Sequence, residues 1–334
     1  MSMRAIVIAG GKGPVESLLL GTAPKPRLAA PHHVLVKVKA FGLNRMDIFQ
    51  RLGKYPVPKG ASELLGVEFS GHIAQAGPAA GNWKEGDEVF GLATGGAYAE
   101  YIAVPQTHIM VKPSQLSWIE AASVPEAWLT AFCALVLSAN IKKNDNVFIS
   151  TGASGVGVAA NQLARYLGAQ TVITSAGTDD KLDWLRRMSL PPTHTVNYKT
   201  GDFAECIQQA TGGQGVDVLI DFVGKAHWEK NISRWLWMAG WSFSHFLANM
   251  SLQQILYKRL RIEGSTHRSR SEKYQADSIE RFSKEVLPDI SGVDGSGRMK
   301  TYVHAVFPWA QIQDASRVLE ANANMGKVVA EVVD

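Results

Sequence analysis

The sequence holds only two cysteines in 334 residues, Cys133 and Cys206. Neither a disulfide framework nor a metal site built from several thiolates can be assembled from so few. Both lie in apolar or helix-like sequence and are expected as free thiols in a reducing compartment. Charge of one sign is scarce as well: the net charge is +4 and charged residues make up 19%. The densest basic stretch, Lys258–Lys273, carries acids too and reads as a solvated surface, so no nucleic-acid partner is expected. No run of 18 apolar residues occurs, and the longest candidate, Ala127–Leu137, has the length of a short buried helix. The opening MSMRAIVIAGG reads as a strand and lacks the apolar and cleavage segments of a signal peptide. A cytoplasmic protein with no membrane partner is the expectation. Hydrophobic residues at 46% exclude disorder for most of the chain. The length favours two domains.

Several catalytic patterns are missing. The nine histidines form no H-x-x-x-H or H-E-x-x-H pair. His32 and His33 are adjacent and are expected to point to opposite sides of a strand. The other histidines are scattered, so no metal site is expected. Gly152-Ala-Ser154-Gly155 has the wrong spacing for a G-x-S-x-G nucleophile elbow. These absences argue against a hydrolase or a metalloenzyme.

What is present is a change of pattern along the chain. Arg4–Ala9, Val34–Phe41, Gly71–Ala76, Glu88–Leu92 and Glu100–Val104 are short β-like runs bounded by turn residues. They predict a compact, largely antiparallel β domain. Ile119–Ala139 then has helical spacing. From Asn146 strands and helices alternate: strands at Val147–Ser150, Thr171–Thr174, Thr195–Asn197 and Val216–Phe222, and helices at Val158–Leu167, Lys181–Met188 and Phe203–Thr211. This order predicts an α/β fold with a parallel sheet covered on both faces. The tail, with strands Thr301–Phe307 and Lys327–Val333 around a helix Trp309–Ala323, is assigned back to the first domain. Gly292–Gly297 reads as a surface loop.

The most informative stretch is Asn146–Ala160, NVFISTGASGVGVAA. A strand runs into Gly152, Ser154, Gly155, Val156 and Gly157, and a helix follows. Glycines there let the backbone approach a pyrophosphate, and the helix start supplies amide donors. No Gly-Lys-Ser/Thr follows, so this is a dinucleotide turn and not a P-loop. The next strand ends in Thr174-Ser-Ala-Gly177 with no carboxylate to grip a ribose hydroxyl. Ser175 and Gly177 offer hydrogen bonds and Lys181 a charge, which favours NADPH over NADH. Asp221 closes a further apolar strand and is read mainly as a cap that orients a loop.

Leu43-Asn-Arg-Met-Asp47, Gln50–Tyr55, Gly66-Val-Glu68-Phe-Ser-Gly71 and Gly86-Asp87, taken with the glycine turn, resemble the medium-chain dehydrogenase/reductase superfamily. Its zinc-independent quinone oxidoreductases are the nearer likeness. Pro125–Ala131, Asn197-Tyr-Lys199, Trp228–Asn231 and Ala321–Lys327 are similar to the tumour-suppressor-inducible quinone oxidoreductase subgroup. The likeness covers about residues 30–334.

The resemblance implies a GroES-like domain over 1–125 and 300–334, a Rossmann domain over 126–299, and a cleft between them. Asn44 and Val67 stand where zinc-dependent relatives carry a Cys and a His, so no zinc is implied. Asn44, Asp47 and Tyr55 are implied as the wall facing nicotinamide and quinone. Ser154 is implied as a cofactor contact, and Gly177, Lys181 and Tyr198 as the group around the 2′-phosphate. Asn322 and Lys327 are implied as further contacts, and Phe243–Leu256 as a homodimer edge. Two departures stand out: His245 and Phe246 add bulk where the family has glycines, and Asp179 and Asp180 are acidic where the subgroup is basic. The expected activity is NADPH-dependent reduction of a quinone or similar conjugated carbonyl. The alternatives are a double-bond reductase of enones or enoyl thioesters, and an NADPH-binding structural or regulatory protein.

Overall fold

The computed structural model describes residues 1–222, 238–240, 253–291 and 297–333. Trp228–Asn231, Trp241 to Met250 with His245 and Phe246, and most of the Gly292–Gly297 loop lie outside the described residues. Two compact units emerge. The first comprises Met1–Leu129, Arg268–Gly297 and Thr301–Asp334, and the second Thr130–His267 with Arg298–Lys300.

The first unit is a β domain. Its strands are β1 (Ser2–Ile8), β2 (Leu18–Pro24), β3 (His33–Leu43), β4 (Glu68–Ala76), β5 (Glu88–Leu92), β6 (Tyr101–Pro105) and β7 (Ile109–Val111). β2 and β7 escape the sequence reading. Leu19 and Leu20 in β2 are exposed, so that strand lacks a clean inward-outward alternation. β7 has only three residues, too few for a periodic signal.

The second unit contains β8 (Asn146–Ile149), β9 (Thr171–Ala176), β10 (His194–Asn197), β11 (Val218–Asp221), β12 (Met238–Gly240) and β13 (Ile262–Gly264). Two later strands, β14 (Val303–Pro308) and β15 (Lys327–Glu331), belong to the first unit. In the first unit β1 pairs with β2, and a seven-stranded sheet runs β14-β15-β3-β4-β5-β7, with β6 also on β3. The segment Arg268–Gly297, read from the sequence as part of the second domain, clusters with the first. The reason is visible in its helix, Glu272–Glu285, which buries Ile279 and Phe282 and packs on Gln106–His108 and β7.

The second unit is a six-stranded parallel sheet in the order β10-β9-β8-β11-β12-β13. Numbered from β8, that is the 3-2-1-4-5-6 order of a doubly wound dinucleotide fold, and the order reverses between β8 and β11. β8 and β9 are buried along their whole length, as strands covered on both faces must be. The helix Phe203–Ala210 buries Phe203 and Ile207 one turn apart, and Asp202 caps it by accepting the Ala204 N–H at 2.9 Å. Phe203 stacks on Phe148 with ring centroids 5.2 Å apart. Among the described residues no helix is long and apolar enough to cross a membrane.

Two expected helices differ in detail. Ile119–Ala139 is divided at Ser123 into Trp118–Ala122 and Pro125–Phe132, and continues as a wider π turn over Cys133–Ser138. Pro125 lacks the N–H that continuation would use, so it starts a helix here instead. Trp309–Ala323 begins as a 3₁₀ turn, Trp309–Gln311, and its α-helix ends at Glu320.

Candidate functional site

In the second unit the glycine turn lies at the carboxyl end of β8, beside the order reversal. Ser154 caps the helix Gly155–Tyr166, its Oγ accepting the Gly157 N–H at 3.0 Å. A Cβ on Gly152 would fall 2.0 Å from Thr174 Oγ1, and one on Gly157 would fall 2.4 Å from the Thr151 carbonyl and 2.7 Å from Gly152 Cα. Any larger residue would push the turn off the sheet. Thr174 Oγ1 donates to the Ile149 carbonyl at 2.9 Å, and Gly152 N–H donates to the Ser175 carbonyl at 2.8 Å. Asn161 Nδ2 reaches the Gly152 carbonyl at 3.3 Å. The turn is thus braced before any ligand arrives, and the residues fit a dinucleotide pyrophosphate.

At the end of β9, a Cβ on Gly177 would lie 2.7 Å from the Tyr198 hydroxyl and 3.3 Å from Lys199 Cε. Gly177 and Tyr198 are therefore brought together as expected of neighbours, and Lys199 joins them. Lys199 is absent from the sequence-derived residues, although it sits inside a motif noticed there. Ser175 is fully buried, and its Oγ finds no hydrogen-bond partner among the described residues. Asp179 accepts the Asn197 amide at 2.9 Å, which ties up one of the two acids noted in that loop. Ser150 Oγ donates to Asp221 at 3.3 Å and accepts the Phe222 N–H at 2.9 Å. Asp221 thus steadies the ends of β8 and β11, as its reading as a loop-orienting residue requires.

In the first unit a buried polar cluster gathers where β3 meets the helix Arg45–Arg51. Asn44 caps that helix, and Asn44 and Asp47 form a reciprocal capping box, with Asn44 N–H donating to Asp47 Oδ2 at 2.8 Å. Asp47 is only 5% exposed. It also accepts from the Tyr98 hydroxyl at 2.9 Å and the Gly66 N–H at 3.2 Å. Burial raises its carboxyl to about 6 despite these three donors. Asp47 is therefore turned inward, whereas the resemblance puts it on a wall facing substrate. The Asn44 N–H and the Tyr98 hydroxyl claim Oδ2, and the Gly66 N–H claims Oδ1.

Glu68 is fully buried. It accepts from Asn44 Nδ2 at 2.8 Å and from the Glu126 N–H at 2.8 Å, and pairs with the Lys327 ammonium. Lys327 Nζ also donates to Asn44 Oδ1 at 2.8 Å and the Leu43 carbonyl at 3.1 Å. An ammonium has three donors, and all three are spent here. Lys327, implied by the resemblance as a cofactor contact, thus has its ammonium placed to neutralise Glu68. Asn322, expected beside it, has φ 51° and accepts from the Arg45 guanidinium, a turn role suited to an asparagine.

The same cluster decides the question of zinc. Asn44 is a poor zinc ligand and the buried Val67 is none. The Lys327 ammonium beside Asn44 adds a repelling charge. A zinc ion of the kind zinc-dependent relatives hold does not fit these residues.

Burial, then the Glu68 carboxylate, pushes the Glu126 carboxyl up to about 7. The folded state therefore holds this proton more tightly than the unfolded chain does. Stability from this group is fully present below about 4.5 and is lost as pH rises to about 7. Glu126→Gln is expected to flatten that slope, leaving the smaller contribution of Asp47 between about 4 and 6. Urea unfolding at pH 5 and pH 8 measures it. An unchanged difference between the two pH values in the variant would refute the assignment.

Tyr55 remains partly exposed, and the Arg268 guanidinium lies over its ring, 5.5 Å from the centroid. Arg268 is 6% exposed. Its Nε donates to the Thr94 carbonyl at 2.7 Å, while Nη1 and Nη2 find no hydrogen-bond partner among the described residues. Burial lowers its pKa, and Asp47 opposes that. Sequence reading missed Arg268, because a single arginine in a mixed-charge stretch gives no pattern.

The family model for a zinc-binding dehydrogenase matches residues 155–284, and that for an alcohol dehydrogenase GroES-like domain matches residues 30–114. Pikromycin polyketide synthase component PikAII of Streptomyces venezuelae is 33% identical over 65% of this chain, which corresponds to 6% of its own length. The chain spans about a tenth of the length of such curated relatives. A solved NAD-dependent alcohol dehydrogenase is 30% identical with a TM-score of 0.83, covering 99% of this chain and 100% of that one. The quinone oxidoreductase of Coxiella burnetii is 28% identical with a TM-score of 0.79 over 100% of both chains. The CurK enoyl reductase is 27% identical with a TM-score of 0.83 over 99% of this chain and 98% of that one. With its GroES-like β domain and its Rossmann-like parallel sheet, this chain belongs to the medium-chain dehydrogenase/reductase superfamily.

Proposed function

We propose that this chain is a zinc-independent reductase that uses NADPH to reduce a conjugated carbonyl, with quinones as the acceptor class. Gly152, Ser154, Gly155, Val156 and Gly157 would hold the pyrophosphate by backbone amides at a helix start. Gly177, Tyr198, Lys181 and Lys199 would hold the 2′-phosphate, with the lysines matching its charge. When bound, the nicotinamide supplies the hydride.

The observation that carries the acceptor reading is the buried Arg268 guanidinium over Tyr55. A conjugated carbonyl gains negative charge on oxygen as hydride arrives, and a preset donor stabilises that charge. The Tyr55 hydroxyl is that donor. Arg268 is a positioning residue that fixes the ring and favours negative charge near it. Exposure of Leu256 and Tyr257 on the helix Gln253–Lys258 supports a homodimer through that edge.

Tyr55→Phe is expected to lower kcat for an ortho-quinone by about a hundredfold, with NADPH affinity unchanged. Oxidation of NADPH with a quinone, an enone and an enoyl thioester side by side tests the acceptor class. The similarity to the CurK enoyl reductase favours a second reading, a double-bond reductase of enoyl thioesters. Turnover with the thioester and none with any quinone would establish that reading and end the quinone one. Tight NADPH binding with no turnover of any acceptor would end both.

A further inference from the structure

A second polar constellation lies in the first unit, among residues that neither the capping cluster nor the glycine turn uses. His32 Nε2 and Glu272 Oε1 are 3.1 Å apart. One potential ligand atom from each of His32, His33 and Glu272 falls within 4.8 Å of the others. The two imidazoles do not diverge as adjacent strand residues would. Their ring centroids are 4.8 Å apart with planes at 81°, because His32 belongs to the turn before β3 and only His33 opens the strand.

This turn is rigid. Ala79 N–H donates to the Pro31 carbonyl at 2.9 Å, Gln106 N–H to the His32 carbonyl at 3.0 Å, and Gly77 N–H to the His33 carbonyl at 2.9 Å. Gly77 is pressed so close that a Cβ there would sit 2.2 Å from the Pro31 carbonyl. Glu272 is the first residue of a helix whose N-cap, Ser271, accepts the Tyr274 N–H at 3.3 Å.

An exposed His–Glu ion pair alone would mean little. One further observation points to a ligand: His33 Nδ1 is buried with no hydrogen-bond partner among the described residues. Buried nitrogens left without partners are uncommon, and an ion is one of the ordinary reasons for them.

We infer that His32, His33 and Glu272 form a binding site for a divalent transition-metal ion, with zinc the fitting occupant. Two imidazoles and a carboxylate make a borderline ligand set that suits zinc or copper and not magnesium or calcium. Ligand atoms on one tetrahedral zinc lie about 3.3 Å apart, given bonds of about 2.0–2.2 Å. The His32–Glu272 pair, at 3.1 Å, already has about that spacing, and His33 offers a third ligand atom within 4.8 Å of both. The fourth position is open to water. The ion would clip the helix Glu272–Glu285 to the start of β3, joining segments 240 residues apart in sequence. It would be a structural tie remote from Asn44 and Val67, and it is independent of the proposed activity.

Titration of tag-free protein with zinc chloride by calorimetry tests the site. One equivalent should bind with a micromolar dissociation constant, magnesium should not compete, and zinc in about hundredfold excess over that constant should raise the unfolding midpoint by a few degrees. His32→Gln, His33→Gln and Glu272→Gln should each weaken binding at least tenfold, while His194→Gln, at an exposed imidazole in the second unit, should leave it unchanged. Circular dichroism confirms that each variant is folded. No binding at 100 times a micromolar constant, or binding that survives all three substitutions in folded protein, would overturn the site.

Discussion

Lys327→Met is expected to destabilise the first unit by about 3–5 kcal/mol, the cost of stranding a buried carboxylate without its partner. Glu68 is fully inside the protein, and Lys327 is the cation paired with it. Methionine fills much the same volume, so the loss is electrostatic and not a cavity. Asn44 Oδ1 and the Leu43 carbonyl also lose a donor, which loosens the cap of the helix Arg45–Arg51. Adding Glu68→Gln to the variant should recover a large part of the loss, since the two residues act as one unit. Urea unfolding followed by tryptophan fluorescence measures both. A loss under about 1 kcal/mol in the single variant would mean that the pair contributes little.

Gly157→Ala is expected to weaken binding of the nicotinamide dinucleotide, proposed to be NADPH, at least tenfold and to destabilise the second unit by about 1–3 kcal/mol, the usual range for overpacking. The added Cβ meets the Thr151 carbonyl and Gly152 Cα, which are backbone atoms with no rotamer to yield. The first turn of the helix must therefore move away from the glycine turn, taking the amides at its N-terminus with it. Ser154→Ala makes a useful comparison: it removes the Oγ that accepts the Gly157 N–H, at about 1 kcal/mol of helix stability. NADPH fluorescence titration and thermal unfolding read out both variants. Wild-type affinity in Gly157→Ala would show that the turn does not hold the cofactor.

Much of the second unit is legible from local pattern. A strand buried on both faces is a short apolar run, and Val147–Ile149 and Val218–Ile220 are such runs. The glycine turn is legible because its chemistry depends on consecutive residues. The first unit is harder to read. Three-residue β7 carries no period, and β2 exposes leucines that a pattern would bury. Arg268 and Lys199 give no signal because their roles depend on neighbours far along the chain or on the next loop.

The capping cluster shows the same division. Asn44 and Asp47 have the spacing of a capping box, which is a local property of the chain. That Asp47 also takes the Tyr98 hydroxyl depends on a residue 51 positions away. That Lys327 faces Glu68 depends on one 259 positions away.

By itself, then, the sequence determined the doubly wound sheet, the dinucleotide turn and the absence of a cysteine-built metal site, since hydrophobic period, glycine spacing and composition are local properties. Only the tertiary structure decided which charges are paired. It spent Lys327 on Glu68, turned Asp47 inward, laid Arg268 over Tyr55 and brought Glu272 to His32. Pairing is settled by which strands and helices become neighbours, and in a chain that leaves its first unit and returns to it, those neighbours lie from 51 to 259 residues apart.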